Sequence, residues 1–191
     1  MNVSLAELET VQKSSQCLLD ASEVEAMLDQ LALDITARCQ HKNPVILCVM
    51  TGAVVAVGRL LPRLSFPLEL DYIHVTRYGA ELTGGELNWK QLPTTSLRDR
   101  TVVVIDDVLD EGITMADIKA YCVEQGAASC YSAVLVDKKI TKQKPESADF
   151  VGYHAGSLYL YGLGMDYKGY LRNANGLYAC ADNLEDLLCQ S

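Results

Sequence analysis

The chain has 191 residues, 49 % of them apolar and 21 % charged, a balance that fits one domain with its own core and excludes a disordered chain, a collagen-like repeat and a coiled-coil rod. Sixteen basic against twenty-five acidic residues give a formal charge of -9, which argues against a nucleic-acid partner. No run of eighteen apolar residues occurs, so no membrane span is expected.

The stretch MNVSLAELETVQKS lacks a basic start followed by an apolar run, so it does not read as a secretory signal. The seven cysteines are odd in number and contain no C-x-x-C pair, which suggests neither a disulfide framework nor a zinc ribbon. Cys48 and Cys130 sit in apolar, strand-like contexts and read as small core residues. The expected location is cytoplasmic.

Residues 1–20 are mixed and weakly patterned. Ser22 and Glu25 form a capping box, and Val24, Met27, Leu28, Leu31, Ala32 and Ile35 then recur with helical spacing. Pro44 opens VILCVM, a continuous apolar run that reads as a buried strand. Thr51-Gly52 ends it, and a small-residue helix is expected over about 53–64. Residues 67–76 suit a strand. Residues 77–91 carry three glycines and the sole Trp and read as a long loop or loose hairpin of the lid type. Further strands are expected over 101–105, 131–136, 149–153 and 158–163. A helix follows residue 114 and stops near Gly126, and a short acidic helix is expected over 181–188. Helices alternating with apolar strands give an α/β class with a mostly parallel sheet flanked by helices. In such sheets ligands bind at the carboxyl ends of the strands, here after Met50, Ile105 and Val136.

Residues 101–114 are the most informative. An apolar strand is followed by Asp106, Asp107, Asp110, Glu111, Gly112, Ile113 and Thr114, which opens a helix. Gly112 lets the backbone approach a ligand, and the N–H groups of the next helix with the Thr114 hydroxyl make a nest for a phosphate monoester. The carboxylates suit ribose hydroxyls, a magnesium shell or proton transfer. No G-x-x-x-x-G-K-[ST] is present, so this is not a Walker loop.

VVVIDDVLDEGIT resembles the diphosphoribosyl-binding motif of type I phosphoribosyltransferases. VILCVMTGA, HVTRYG, AVLVDKK, and DFVGY with YLYGLGMDYKGYLRN resemble, in order, further segments of the hypoxanthine-guanine members, over about residues 20–180. The resemblance implies one domain over 1–191, with a core of about 37–150, a hood from 1–20 and 151–191, and a mobile loop over 77–91. It implies purine salvage: N9 of hypoxanthine or guanine attacks C1 of phosphoribosyl diphosphate, with magnesium (Mg2+) as cofactor.

By the same resemblance Asp106 and Asp107 hold the ribose hydroxyls and, with Asp166, the metal. Asp110 is the general acid/base at purine N7. Residues 110–114 take the 5′-phosphate. Thr51, Gly52 and Arg172 take the diphosphate, with Thr51 standing where the family usually has a basic residue and a cis peptide implied at Met50–Thr51. Lys138 donates to purine O6, Tyr159 stacks on the base, Leu160 offers backbone contacts, and Asp166 lies beside them. Arg77 and Tyr78 open the mobile loop, and Ala155-Gly156-Ser157 replaces the family's frequent Ile-Pro-Asp. The implied partners are small molecules, phosphoribosyl diphosphate and a 6-oxopurine, with no nucleic acid and no membrane, in a homodimer or homotetramer.

On residue type alone several of these stay open. On composition alone Lys138 and Lys139 read first as a solvated surface pair, and Asp166 and Arg172 can be read as an ordinary surface charge pair. Of Tyr159 and Tyr161, one packs inside and one faces a site. His41, His74 and His154 have no ligand spacing and read as structural, and Trp89 reads as a lid or interface contact. A xanthine-preferring transferase and a non-catalytic nucleotide-sensing regulator on the same fold are the competing readings; adenine preference is disfavoured by Lys138.

Overall fold

A computed structural model describes residues 3–77 and 87–189. Three continuous apolar runs build its centre. They are β2 (Val45–Met50), β5 (Thr101–Leu109) and β6 (Ser129–Lys138), whose Val45–Val49, Val102–Ile105 and Ala133–Val136 stretches are buried. Being apolar on both faces, they take interior places in a parallel sheet. β3 (Glu69–Arg77) flanks β2, and β7 (Phe150–Ala155) flanks β6. The edge is closed by β4 (Leu87–Gln91), which pairs antiparallel with β3, giving the order β4-β3-β2-β5-β6-β7. The expected loop over 77–91 is therefore a hairpin strand at its C-terminal end. Tyr78 and the rest of 78–86 lie outside the described residues.

The helices cover this sheet. α2 (Ala21–Cys39) buries Val24, Leu28, Leu31, Ala32, Ile35 and Cys39. Its capping box is Asp20 with Glu23, not Ser22 with Glu25: the Asp20 carboxylate accepts the Ser22 and Glu23 N–H groups, and Glu23 accepts the Asp20 N–H at 2.8 Å. The extended backbone of Asp20 starts the helix earlier, because a carboxylate there satisfies two orphan donors at once. α3 (Val54–Leu60) runs into a 3-10 turn over Leu61–Arg63, and α4 (Ile113–Glu124) ends beside Gly126, whose φ of 82° allows the turn back into β6.

A second, smaller layer holds what the N-terminal sequence did not reveal. α1 (Leu5–Ser14) and β1 (Gln16–Leu19) fold with β8 (Leu160–Tyr161), β9 (Leu177–Ala179) and α5 (Leu184–Cys189). The strands form the antiparallel sheet β1-β9-β8. Its own core joins Leu8 and Val11 of α1 to Tyr161, Tyr167 and Cys180. β8 is shorter than the run expected over 158–163, because Gly162, Leu163 and Gly164 all take positive φ and turn the chain. Residues 151–155, expected in the hood, lie in β7 of the large sheet.

Candidate active site

The site lies at the carboxyl ends of the parallel strands. β5 continues through Leu109, so Asp106 and Asp107 stand on the strand itself and not in the turn after it. Asp106 accepts the Asp107 N–H at 2.9 Å, and Asp107 accepts the Val108 N–H at 2.8 Å. Burial pushes the Asp106 carboxyl well above the usual carboxylate range, and the neighbouring Asp107 charge adds to this. Burial also raises Asp107, against the opposing pull of Arg172.

Asp107 packs on the turn after β2. A Cβ on Gly52 would lie 2.3 Å from Asp107 Oδ2, so only glycine lets this loop meet the strand. The Met50–Thr51 peptide in that loop is cis, as the resemblance implied. Gly164 closes the same contact from the hood: a Cβ there would lie 1.9 Å from the Gly52 carbonyl oxygen. The turn carrying Asp166 and Arg172 is thus seated on the β2–α3 loop.

Two adjoining cavities share Asp106, Asp107, Val108 and Thr114. The first, about 410 Å³, is lined by Thr51, Gly52, Lys138, Tyr159, Leu160, Asp166 and Arg172 among others. The second, about 400 Å³, is lined by Asp110, Glu111, Gly112 and Ile113 with the residues on either side. Every sequence-selected site residue except Arg77 and Tyr78 therefore lines one of the two. Arg77 ends β3, and its side chain lies outside what is described.

The open alternatives resolve on burial. Tyr159 is 52 % exposed and lines the cavity, whereas Tyr161 is 2 % exposed and stacks on Tyr178 inside the hood. Tyr159 meets Tyr167 edge-on, with ring centroids 5.7 Å apart. Lys138 is largely buried and its Nζ lies 3.0 Å from Asp110 Oδ2, while Lys139 is exposed. Arg172 pairs with Asp166 at 2.6 Å and donates to the Gly164 carbonyl at 2.6 Å; Asp166 also accepts the Gly169 N–H. These two form a fixed pair on the cavity wall.

Some residues of the site were missed. His74, read as structural, lines the first cavity. Gly164 and Met165 carry no chemical signal in sequence. Lys144 donates to the Leu109 carbonyl at 2.8 Å and to Asp137 at 2.6 Å, yet it reads as one more lysine in a charged stretch. Trp89 packs on Tyr121 of α4, with centroids 5.1 Å apart. Among the described residues, no three His, Cys, Asp or Glu side chains converge as a metal cage, and no helix is long and apolar enough to cross a membrane.

A family model described as the phosphoribosyl transferase domain matches residues 14–156. The chain belongs to this family. The hypoxanthine-guanine-xanthine phosphoribosyltransferase of Tritrichomonas foetus is 32 % identical over 157 residues, covering 82 % of this chain and 86 % of that protein. The hypoxanthine-guanine phosphoribosyltransferase of Bacillus subtilis is 27 % identical over the same length, covering 82 % and 87 %. A solved hypoxanthine-guanine-xanthine phosphoribosyltransferase superposes with a TM-score of 0.77 at 28 % identity, over 88 % of this chain and 96 % of that one. A hypoxanthine phosphoribosyltransferase from Staphylococcus aureus reaches 0.85 at 22 % identity, over 91 % and 95 %, and shares the fold. The phosphoribosyltransferase fold thus accounts for the large sheet and for the cavities at its strand ends.

Proposed function

We propose that this phosphoribosyltransferase serves purine salvage, moving the 5-phosphoribosyl group from phosphoribosyl diphosphate to N9 of hypoxanthine or guanine. Diphosphate leaves C1 as the C1–N9 bond forms, giving IMP or GMP. The observation that carries the reading is the pairing of two adjoining cavities. One holds Lys138 and Tyr159, suited to a flat base with an oxygen at C6. The other is walled by residues 106–115, suited to a ribose monophosphate.

Each role follows from chemistry. The Lys138 ammonium donates to O6 of a 6-oxopurine; the amino group of adenine would leave that donor unpaired, which selects against it. Tyr159 offers its exposed face to the ring, and the Leu160 backbone borders the same plane. Asp110, beside Lys138 at 3.0 Å, holds or takes the N7 proton as electron demand at N9 changes. Gly112, the N-cap of α4, has no side chain to occupy the first-turn N–H groups, which with Thr114, Glu111 and Ile113 receive the 5′-phosphate. Asp106 and Asp107 receive the ribose hydroxyls. Thr51, Gly52 and Arg172 face the diphosphate.

Magnesium fits the donors present: Asp106 and Asp107 on one wall and Asp166 on the other offer hard oxygen ligands. With no complete cage among the described residues, the ion would share its remaining sites with water and substrate oxygens. When bound it supplies charge neutralisation of the leaving diphosphate. A homodimer or homotetramer is supported by an apolar groove between α3 and β3, where Val54, Leu70 and Tyr72 are each about half exposed; sedimentation measures which.

The test is a spectrophotometric panel of hypoxanthine, guanine, xanthine and adenine with phosphoribosyl diphosphate, with magnesium and with EDTA. Turnover of hypoxanthine and guanine, magnesium-dependent and absent for adenine, is expected. Xanthine use is the second reading, favoured by the name of the 32 % identical relative. No turnover with any base, together with tight salt-sensitive RNA binding, would move the protein to the regulator class.

A further inference from the structure

The two residues proposed to act on the purine, Asp110 and Lys138, follow directly on the last rung of one strand pair. Leu109 of β5 and Asp137 of β6 are register partners there. Lys144 joins them from outside the ladder. Its Nζ donates to the Leu109 carbonyl at 2.8 Å and to Asp137 Oδ1 at 2.6 Å. The Lys144 side chain is only 14 % exposed. The other oxygen of Asp137 faces His154 Nδ1 of β7 at 3.3 Å. One residue past the rung, Lys138 Nζ and Asp110 Oδ2 stand 3.0 Å apart.

The segment carrying Lys144 is itself held in place. Lys119 of α4 reaches Glu146 at 3.1 Å and Asp149 at 3.3 Å. A Cβ on Gly112 would lie 2.8 Å from the Glu146 carbonyl oxygen and 3.3 Å from Lys144 Cβ. Residues 144–146 therefore pack against the turn between Asp110 and α4.

We propose that Lys144 is a positioning residue, clasping the final β5–β6 rung so that Asp110 and Lys138 are held at one separation. This rests on the functional reading above. An ammonium presents several donors on a compact centre, so it can serve a carbonyl and a carboxylate together. Neither a neutral apolar side chain nor a short one can do so. Without it the Asp137 carboxylate loses its cation and the Leu109 carbonyl a donor, and the ends of the two strands are free to separate. Small misplacements of catalytic groups are expensive: about 1 Å costs on the order of 10²-fold in rate.

The experiment compares wild type, Lys144→Met and Lys144→Arg in the hypoxanthine assay, at a temperature well below the melting point of each. Lys144→Met is expected to lower kcat about 10-fold, by more than any change in KM for phosphoribosyl diphosphate, and Lys144→Arg to recover most of the loss. Asp137→Asn, which leaves the Leu109 bond in place, is the second variant should Lys144→Met fold poorly; a smaller fall in kcat is expected. A lowered melting temperature with wild-type kcat in these variants would overturn the positioning role and leave only a structural one. Inactivity of the wild type itself would instead strike the functional reading, and this inference with it.

Discussion

Asp106 and Asp107 stand where folding alone would not put them. Burial on one strand end makes both carboxyls costly to ionise, and the Asp107 charge adds to that cost at Asp106. A carboxyl whose folded pKa lies above its unfolded value withdraws stability as pH rises from the ordinary carboxylate range through the raised folded value. At pH 7.5 that loss is in force. Asp106→Asn is therefore expected to raise the melting temperature at pH 7.5, by about 1 kcal/mol of stability, and to lose most activity. The gain should vanish when melting is repeated at a pH below the carboxylate range. An Asp106→Asn protein less stable than wild type at pH 7.5 would refute this account. At Asp110 the expectation concerns rate: Asp110→Asn should lower kcat about 10²-fold or more, the scale of general acid/base catalysis, with phosphoribosyl diphosphate binding largely kept. Near wild-type turnover would remove that role. Asp106, Asp107, Asp110 and Thr114 were legible because they share one short segment after an apolar strand. Tyr159 was not separable from Tyr161, since strand alternation gives two faces without naming them. Lys144 was hidden among Lys138, Lys139 and Lys142, because only its bonds to Leu109 and Asp137 distinguish it.

Elements bring these residues together through close backbone contact. The β2–α3 loop reaches Asp107 only because Gly52 has no side chain, and the hood turn reaches that loop only because Gly164 has none. Gly52→Ala must displace either the loop or the carboxylate. It is expected to cost more than about 10-fold in kcat/KM, the effect of a sub-ångström to ångström displacement, while the circular dichroism spectrum stays that of the wild type. Wild-type kinetics would show that the loop tolerates the shift. The strands that hold this geometry were readable where they are continuously apolar, as in β2, β5 and β6. The end of β5 was not, because pairing of Val108 with Val136 and Leu109 with Asp137 carries the ladder past polar side chains. α1 was missed for a related reason. Only Leu8 and Val11 of that helix are buried, too narrow a stripe for periodicity to register, and its place comes from docking onto the hood core.

At the scale of the molecule, the two cores divide the labour. The large sheet presents strand ends that carry the acidic segment and Lys138, and the hood lays Tyr159, Asp166 and Arg172 over them. The α/β class and the parallel centre were legible from alternating helices and apolar runs. The hood was reached only through the family resemblance, since its sheet joins residue 16 to residue 179, and pairing across that distance leaves no local pattern. The acidic net charge of -9 says nothing of a phosphorylated substrate, because local amides and a few placed cations can oppose the net field.

The ring of Trp89, the chain's only indole, lies against Tyr121 on the helix that starts after Gly112. Its indole emission therefore has a single source, set by the contact with that ring. Separation of the edge hairpin from that helix, whether by heat, urea or a bound nucleotide, would be visible as a change in intrinsic fluorescence without any attached dye.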